Sequence, residues 1–254
     1  MGWACRGVSE DARLQSQAQV NLGRSQYADE HNLRAALESL ERAVRLDPEN
    51  AEAHLVLGHL YGVQALWERA QSLLERSVEL YVRDAAEDER ARSPLAEARN
   101  HLAQVYINRG RFDDAIALER LVTTEVLYDA QHLAWGNLGL AYLRKGDLTQ
   151  AVEALSRAVQ IQPQFCVGRY RLGEAYYRQE DYAHALEALN AALSTPQEAC
   201  QGIQAAYLVR GQVRVRLHQP DEAREDLARC VALAADTPEG RLCAELGRSV
   251  AVGP

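Results

Sequence analysis

No stretch of this sequence approaches the roughly 20 consecutive apolar residues that a membrane-spanning helix requires. Long charge blocks and low-complexity tracts are absent as well. Hydrophobic residues make up 47% of the chain, which is too many for an intrinsically disordered protein. The 254 residues are therefore expected to form one elongated, soluble, folded domain.

Lysine is almost absent, and acidic residues outnumber basic ones. Lys145 is the only lysine, and the formal net charge is −8 at pH 7, with an isoelectric point near 5.4. A nucleic-acid-binding surface needs clustered, excess Lys and Arg to neutralise phosphates. The composition therefore predicts that nucleic acid is not a partner.

Catalytic and metal-binding motifs are missing too. The sequence contains no glycine-rich phosphate loop, no Gly-x-Ser-x-Gly elbow and no His-Glu-x-x-His helix. His54 and His59 are five residues apart, which separates them on a helix, and the five cysteines lack the paired short spacing of a zinc site. We therefore predict no enzymatic activity, no cofactor and no metal site.

What the sequence does contain is a repeat with a period close to 34 residues. Gly139 and Gly173 are 34 residues apart, and five further pairs of residues match at the same offset. We call each set of equivalent positions in the aligned repeats a column. These columns pair Leu138 with Leu172, Tyr142 with Tyr176, Ala151 with Ala185, Leu155 with Leu189, and Ala158 with Ala192.

Six units result when the columns are extended along the chain. The Gly139 position recurs as Gly23, Gly58, Ala103 and Gly211, and the Ala151 position as Ala36, Ala70, Ala115 and Ala223. The units are placed at about 16–49, 51–84, 96–129, 132–165, 166–199 and 204–237, within a repeat domain at 12–237. Insertions of 11 and four residues interrupt the period around Asp84–Ser93 and Cys200–Ile203.

Each unit is predicted to be a pair of helices. Ala151, Leu155 and Ala158 are three and four residues apart, which is the spacing of one helix face. Gly146 supplies a tight turn before that helix, and Pro163 ends it because proline cannot continue the hydrogen-bond ladder. A side chain as small as that of Ala151 lets the two helices of a unit approach closely.

A final segment, 238–254, is predicted to be a capping helix and tail, because the last repeat would otherwise leave an apolar side uncovered. Thr237 and Pro238 are a typical helix start. The helix would cover the last unit with Leu242, Leu246 and Val250, and would face water with Arg241, Glu245 and Arg248.

The columns reproduce the signature of the tetratricopeptide repeat, carried most fully by Trp135, Leu138, Gly139, Tyr142, Ala151, Leu155, Ala158 and Pro163. The resemblance extends over about Ser16–Asp236, although Glu119 stands where a large apolar residue is usual and Arg214 replaces the tyrosine. It implies an all-α fold: a right-handed tetratricopeptide-repeat superhelix of six helix hairpins plus a C-terminal capping helix. It also implies a non-enzymatic scaffold, because this family binds peptides or proteins along a concave groove.

A narrower resemblance concerns Cys5 and the later cysteines. Ala4 followed by Cys5 resembles the end of a lipoprotein signal, and Arg6 is compatible with sorting to the outer membrane. With six repeats, the chain resembles the PilF/PilW group of outer-membrane lipoproteins of type IV pilus biogenesis, and in particular its myxobacterial, Tgl-like branch. Proteins of this kind are pilotins, which help the secretin of the pilus exit channel to reach the outer membrane and assemble.

This resemblance implies a lipid anchor at Cys5, with 1–11 as anchor and linker. It further implies a monomer on the periplasmic face of the outer membrane, with a type IV pilus secretin subunit as its protein partner. Two alternatives stay open. One is a cytoplasmic or periplasmic adaptor or chaperone of another pathway, in which Cys5 has no role; the other is a module whose regulatory or catalytic partner is on another chain.

In the tetratricopeptide fold the first helix of every unit lines the groove. A turn-spaced stripe along the last three units is apolar for a surface that faces water, so we expect a partner segment to bind there unless neighbouring repeats bury it. The stripe consists of Leu133, Gly136, Leu140, Leu143, Val167, Tyr170, Glu174, Tyr177, Leu208 and Val215. The corresponding positions of the second and third units, Glu52, His59, Glu97, Asn100 and Gln104, are polar and predict a solvated face or a groove rim.

Four cysteines lie in the C-terminal third. They fit two disulfides in an oxidising compartment or four buried thiols in the cytosol. Four cysteines allow three pairings, and the hypothesis favoured here is Cys166 with Cys200 and Cys230 with Cys243. The loop before Cys200 can lean towards the start of the previous repeat, and Cys230 can reach the capping helix.

Overall fold

A computed structural model describes residues 8–28 and 32–252, the side chains of 251 and 252 excepted. The part of the chain that it describes is helical, with no β-strand. The helices are α1 (Glu10–Ala28), α2 (Leu33–Leu46), α3 (Ala51–Val63), α4 (Trp67–Ala85), α5 (Arg92–Asn108), α6 (Phe112–Thr123), α7 (Gln131–Lys145), α8 (Leu148–Ile161), α9 (Cys166–Arg178), α10 (Tyr182–Leu193), α11 (Glu198–Gln201), α12 (Gln204–Arg216), α13 (Pro220–Leu233) and α14 (Pro238–Val252). None of these helices is both long and apolar enough to cross a membrane.

The chain divides into two compact units, which are Met1–Ala130 and Gln131–Pro254. Three helix hairpins form the described part of the first unit: α1 with α2, α3 with α4, and α5 with α6. In the second unit α7 pairs with α8, α9 with α10, and α12 with α13, and α14 packs against α12 and α13. The predicted fold class, all-α with six tetratricopeptide-type hairpins and a C-terminal capping helix, is confirmed.

The two sequence insertions have structure of their own. A short 3-10 turn, Glu89–Ala91, lies between α4 and α5, and the one-turn helix α11 lies between α10 and α12. Both occur between hairpins, so the pairing of helices within each hairpin is undisturbed.

Small residues allow each hairpin to close. Ala151 and Ala185 are fully buried, and a Cβ atom placed on Gly139 would lie only 2.5 Å from Cγ of Leu155. The glycine of one helix therefore faces the leucine of the paired helix. Glu119 occupies the leucine column in α6 and is also fully buried.

The turn between α7 and α8 combines a left-handed residue with a side-chain cap. Gly146 has φ of +93°, a backbone conformation that glycine adopts without steric cost. Immediately afterwards, Asp147 caps α8 by accepting a hydrogen bond from the backbone N–H of Gln150. This chemistry ends one helix and starts the next within two residues.

The capping helix corrects one prediction. Leu246 and Val250 pack against the core of the last hairpins, as expected, but Leu242 is 39% exposed. Cys243, the next residue, is fully buried instead. The helix is rotated so that its cysteine faces α13, and this rotation turns Leu242 towards solvent.

Candidate protein-binding surface

In the second unit, the first helices α7, α9 and α12 form the surface that the family resemblance assigns to partner binding; we call it the first-helix face. A polar cluster on α9 organises its centre. The hydroxyl of Tyr170 donates a hydrogen bond of 3.2 Å to Glu174, and Arg178 forms a salt bridge of 2.9 Å with the same carboxylate. Burial, followed by the charge of Glu174, raises the pKa of Tyr170, so this hydroxyl keeps its proton at neutral pH.

Arginines of α9 also tie this helix to α7. Arg171 donates to the backbone carbonyl oxygen of Gly136 at 3.4 Å, and Arg178 donates to that of Leu143 at 3.1 Å. Burial lowers the pKa of Arg171 from its ordinary value. Guanidinium groups remain charged in proteins, so Arg171 brings a partly desolvated positive charge to this face.

The predicted stripe is only partly accessible. Leu133 and Val215 are exposed, and Leu140, Val167, Tyr170, Glu174 and Tyr177 are half-buried. That these seven residues bind a partner stays a prediction.

Three members of the stripe are buried, which corrects their assignment as a lining that a partner can reach. Leu143 is fully buried, and the ring of Phe165 covers Gly136, where an added Cβ atom would lie 2.8 Å from the ring. Leu208 belongs to the hydrophobic core around α12 and α13. Packing between successive helices removes these positions from solvent.

The corresponding face of the first unit is polar, but its side chains contact one another and some of them are buried. The rings of His59 on α3 and His101 on α5 lie with their centroids 4.3 Å apart. Burial and the neighbouring His101 lower the pKa of His59 to about 4. Asn100, predicted to be on a solvated face, is buried as well.

Carboxylates of this face have basic or amide partners. Arg24 and Gln17 of α1 both bind Glu52, at 2.9 and 2.8 Å. Glu97 lies 3.8 Å from His101, and the interaction with this imidazole lowers the pKa of the carboxyl. A cavity of about 410 Å³ opens between the three first helices and is lined by Arg24, Tyr27, Ala28, Leu55, Val56, His59, Leu60, Glu97 and His101.

Sequence reasoning missed several residues that organise these faces. Arg171, Arg178 and His101 were not among the predicted site residues. A signal was available, because Arg171 and Arg178 are three and four residues from Glu174 and so lie on the same side of α9. Nothing in the sequence alone placed His101 against His59, since that contact joins different hairpins.

The four later cysteines lie in two close pairs. The sulfur atoms of Cys166 and Cys200 are 2.07 Å apart, and those of Cys230 and Cys243 are 2.01 Å apart. The first pair joins α9 to α11, and the second joins α13 to α14. Cys5, predicted to carry a lipid, lies outside the described residues, within which no cluster of three His, Cys, Asp or Glu side chains is suited to a metal ion.

Family models match three parts of the chain. A model described as TPR repeat matches residues 25–64 and 139–180, and two tetratricopeptide-repeat models match 95–124 and 168–197. Together they cover about half of the sequence. No curated protein sequence matches the chain.

Solved structures with the same fold include PilF of Pseudomonas aeruginosa, with a TM-score of 0.71 and 17% identity over 93% of this chain and 100% of that one. PilW, described as a widely conserved type IV pilus biogenesis factor, has a TM-score of 0.74 and 19% identity over 90% of this chain and 98% of that one. The APC/C hetero-tetramer Cut9–Hcn1 has a TM-score of 0.77 and 16% identity over 93% of this chain, but only 43% of that one. At such identities the likeness concerns the fold. The family models and the six hairpins together establish that the chain belongs to the tetratricopeptide-repeat family.

Proposed function

We propose that this chain is a pilotin-like lipoprotein of the Tgl type, which promotes outer-membrane targeting and multimeric assembly of a type IV pilus secretin. It is tethered through Cys5 to the periplasmic face of the outer membrane and binds the secretin subunit with its repeats. The observation that carries the proposal is the near end-to-end likeness to PilF and PilW, which covers at least 98% of each of those chains. Cut9–Hcn1 matches over less than half of its length, so it offers weaker support for a shared role.

The first-helix face of the second unit supports a binding role. Leu133 and Val215 expose apolar surface at 38% and 43%, while Tyr170 and Tyr177 add half-buried aromatic rings between them. Exposed apolar and tyrosine side chains with charged neighbours are characteristic of protein-binding surfaces. We assign the secretin segment to this face.

The paired cysteines support a location in an oxidising compartment. Disulfides persist in the periplasm, whereas cytosolic thiols are kept reduced. The proposal therefore includes bonds between Cys166 and Cys200 and between Cys230 and Cys243.

Site-specific photocrosslinking tests the partner and its position. A photoreactive amino acid at Tyr177 is expected to capture the secretin subunit in cells, detected by an antibody to the secretin. The matched control places the same probe at Glu187, an exposed residue on the second helix of the same hairpin. Absence of secretin in the Tyr177 product, or equal capture from Glu187, would refute this assignment.

Fractionation tests the tether separately. The Cys5→Ala variant is expected to keep its helical circular dichroism but to leave the membrane fraction, with fewer secretin multimers formed. Acyl chains supply the membrane affinity, at about 0.8 kcal/mol per buried methylene, so their loss should release the protein. A variant that remains in the membrane fraction would contradict lipidation at Cys5.

A further inference from the structure

The first helices of the second unit carry an excess of positive charge. Helices α7, α9 and α12 contain one acidic residue, Glu174, and eight Lys and Arg residues. The formal net charge of the whole chain is −8, so this excess runs against its composition. The first helices of the first unit, α1, α3 and α5, contain four acidic and four basic residues. Among the first helices, the positive excess therefore belongs to the second unit.

Three of these cations are bound to groups outside the first helices. Arg210 and Arg214 pair with Asp226 of α13 at 2.6 and 2.8 Å. Arg169 donates a hydrogen bond of 2.8 Å to the backbone carbonyl oxygen of Pro163. These three side chains are therefore engaged within the protein.

Four other arginines belong to the side of the first helices that carries the predicted stripe. They are Arg144, Arg171, Arg178 and Arg216. Arg144 follows Leu140 of the stripe by four residues, a spacing that places two side chains on one side of a helix. Arg171 and Arg178 are three and four residues from Glu174 and lie on its side of α9 for the same reason.

Three of these arginines recur at one position of the repeat. The column contains Arg144, Arg178 and Arg216, each five residues after the glycine of its helix. The same column of the first unit contains Ala28, Val63 and Asn108, which carry no charge. Helix α9 contacts both α7 and α12, and packed helices lie about 8–10 Å apart. The arginines of this column therefore form a row across three adjacent helices.

Only part of this positive charge is compensated within the protein. Glu174 pairs with Arg178 at 2.9 Å, and the side chain of Glu174 is only 12% exposed. Among the described residues, Arg144, Arg171 and Arg216 form no salt bridge. Burial lowers the pKa of Arg171, and the nearby charge of Arg144 acts in the same direction. The first-helix face therefore presents guanidinium groups that no carboxylate of this unit neutralises.

The turns after α7 and α9 each contain an aspartate that serves the following helix. Asp147 accepts a hydrogen bond from the backbone N–H of Gln150, and Asp181 accepts one from that of His184. Carboxylates at these positions are stabilised by the N-terminal ends of the second helices. They are thus part of the caps and do not pair with the arginine row.

The arrangement fits a partner that is both acidic and partly apolar. Guanidinium groups bind carboxylates through paired, charge-assisted hydrogen bonds. Leu140 and Tyr177 lie half-buried on the same face and offer apolar contacts beside the charges. Residues of an extended chain rise about 3.3 Å each, so carboxylates two or three residues apart span about 7–10 Å. That distance matches the spacing of neighbouring helices.

We propose that the first-helix face of the second unit binds an extended acidic segment of the protein partner. Its carboxylates, two or three residues apart, pair with Arg144, Arg171 and Arg216. Its intervening apolar side chains pack against Leu140 and Tyr177. This inference rests on the proposed function, since it specifies the chemistry of the segment that binds there.

Selection from a random library of 12-residue peptides displayed on phage tests the chemistry. The target is the full chain with Cys5→Ala, so that the purified protein carries no acyl group. Asp and Glu should become at least threefold more frequent than in the unselected library, with acidic residues two or three positions apart. Selection of neutral or basic peptides, or no enrichment at all, overturns the proposal.

Binding of the tightest selected peptide, labelled with fluorescein, is then measured by anisotropy. Arg144→Gln and Arg216→Gln should each raise the Kd about fivefold, the upper end for an exposed ion pair. Added NaCl should weaken binding to the parent, because salt screens exposed charges. The matched control is Arg157→Gln, an exposed arginine on the second helix α8, which should leave the Kd unchanged.

Equal effects of Arg144→Gln and Arg157→Gln, or binding that is insensitive to salt, would contradict the arginine row. A labelled 12-nucleotide single strand that binds more tightly than the peptide would assign these arginines to phosphates and would also overturn the proposal. The photoprobe at Tyr177 separates this inference from the proposed function. Capture of the secretin without selection of acidic peptides refutes only the acidic segment. Selection of acidic peptides without capture refutes only the secretin as partner.

Discussion

Arg214 donates a hydrogen bond of 2.8 Å to Asp226. Arg214 stands at the position where the second to fifth repeats have a tyrosine. Arg210 binds the other oxygen of the same carboxylate at 2.6 Å. Asp226 is only 3% exposed, so the sixth repeat replaces a tyrosine contact by a nearly buried ionic cluster of one aspartate and two arginines.

Removing the carboxylate from this cluster should destabilise the protein. Asp226→Ala leaves two guanidinium groups with little solvent and no counter-charge, a change that typically costs about 3–5 kcal/mol. We expect the free energy of unfolding, measured by urea denaturation, to fall by that amount. Glu225→Ala, at the exposed neighbouring position, should change it by less than about 0.5 kcal/mol, and similar losses in both variants would contradict the role of the cluster.

Close approach of the paired helices predicts the effect of a single methyl group. In Gly173→Ala the added Cβ atom would lie 2.5 Å from Cγ of Leu189. Overpacking of this kind lowers the free energy of unfolding by about 1–3 kcal/mol. Gly62→Ala is the control, because its nearest neighbours are 4.0 Å away. The control should be neutral or gain up to about 1 kcal/mol from the higher helix propensity of alanine. Chemical denaturation of both variants checks the contrast, and equal effects would count against the packing argument.

The cysteine pairs should stabilise the second unit when they are oxidised. Replacing Cys230 and Cys243 together by serine is expected to lower the free energy of unfolding by about 2–4 kcal/mol, because the link between α13 and α14 is lost. The same double variant should behave like its parent once both are fully reduced. Thiol titration of denatured, unreduced protein from the periplasm should detect none of the four thiols, and four reactive thiols would exclude both bonds.

Acidic pH should destabilise the first unit through His59. The pKa of His59 is about 4 in the folded protein, whereas an unperturbed histidine, as in the unfolded chain, has a pKa of 6.5. Between these two pH values the unfolded chain therefore binds more protons than the folded protein. Stability should therefore decrease as pH falls from 6.5 to 4, with no contribution from this group above 6.5. His59→Gln removes the titrating ring, and the difference in unfolding free energy between parent and variant should vary with pH only in that window. A difference that is independent of pH would contradict the assignment.

The helix hairpins could be predicted because their determinants are local and repeat. Gly139, Ala151 and Leu155 recur at fixed intervals, and each small residue faces a large one on the paired helix. The accessible part of the binding face could not be predicted in the same way. Whether Leu143 or Leu140 reaches solvent depends on how the neighbouring helices lie, which periodicity does not specify.

The capping helix illustrates the same limit. Its existence followed from Thr237, Pro238 and the apolar spacing, but its rotation did not. The choice between Leu242 and Cys243 as the buried residue depends on contacts with α13, which lies in the preceding hairpin.

Sequence alone determined the repeat, the helix pairs and their close packing, since residues a few turns apart carry that information. Only the tertiary structure decided that His59 touches His101 and that Cys166 and Cys200 lie within bonding distance. These relations join residues of different hairpins, and they depend on how each repeat is rotated and stacked on its neighbour. That stacking is the summed result of many weak side-chain contacts, which no short sequence pattern encodes.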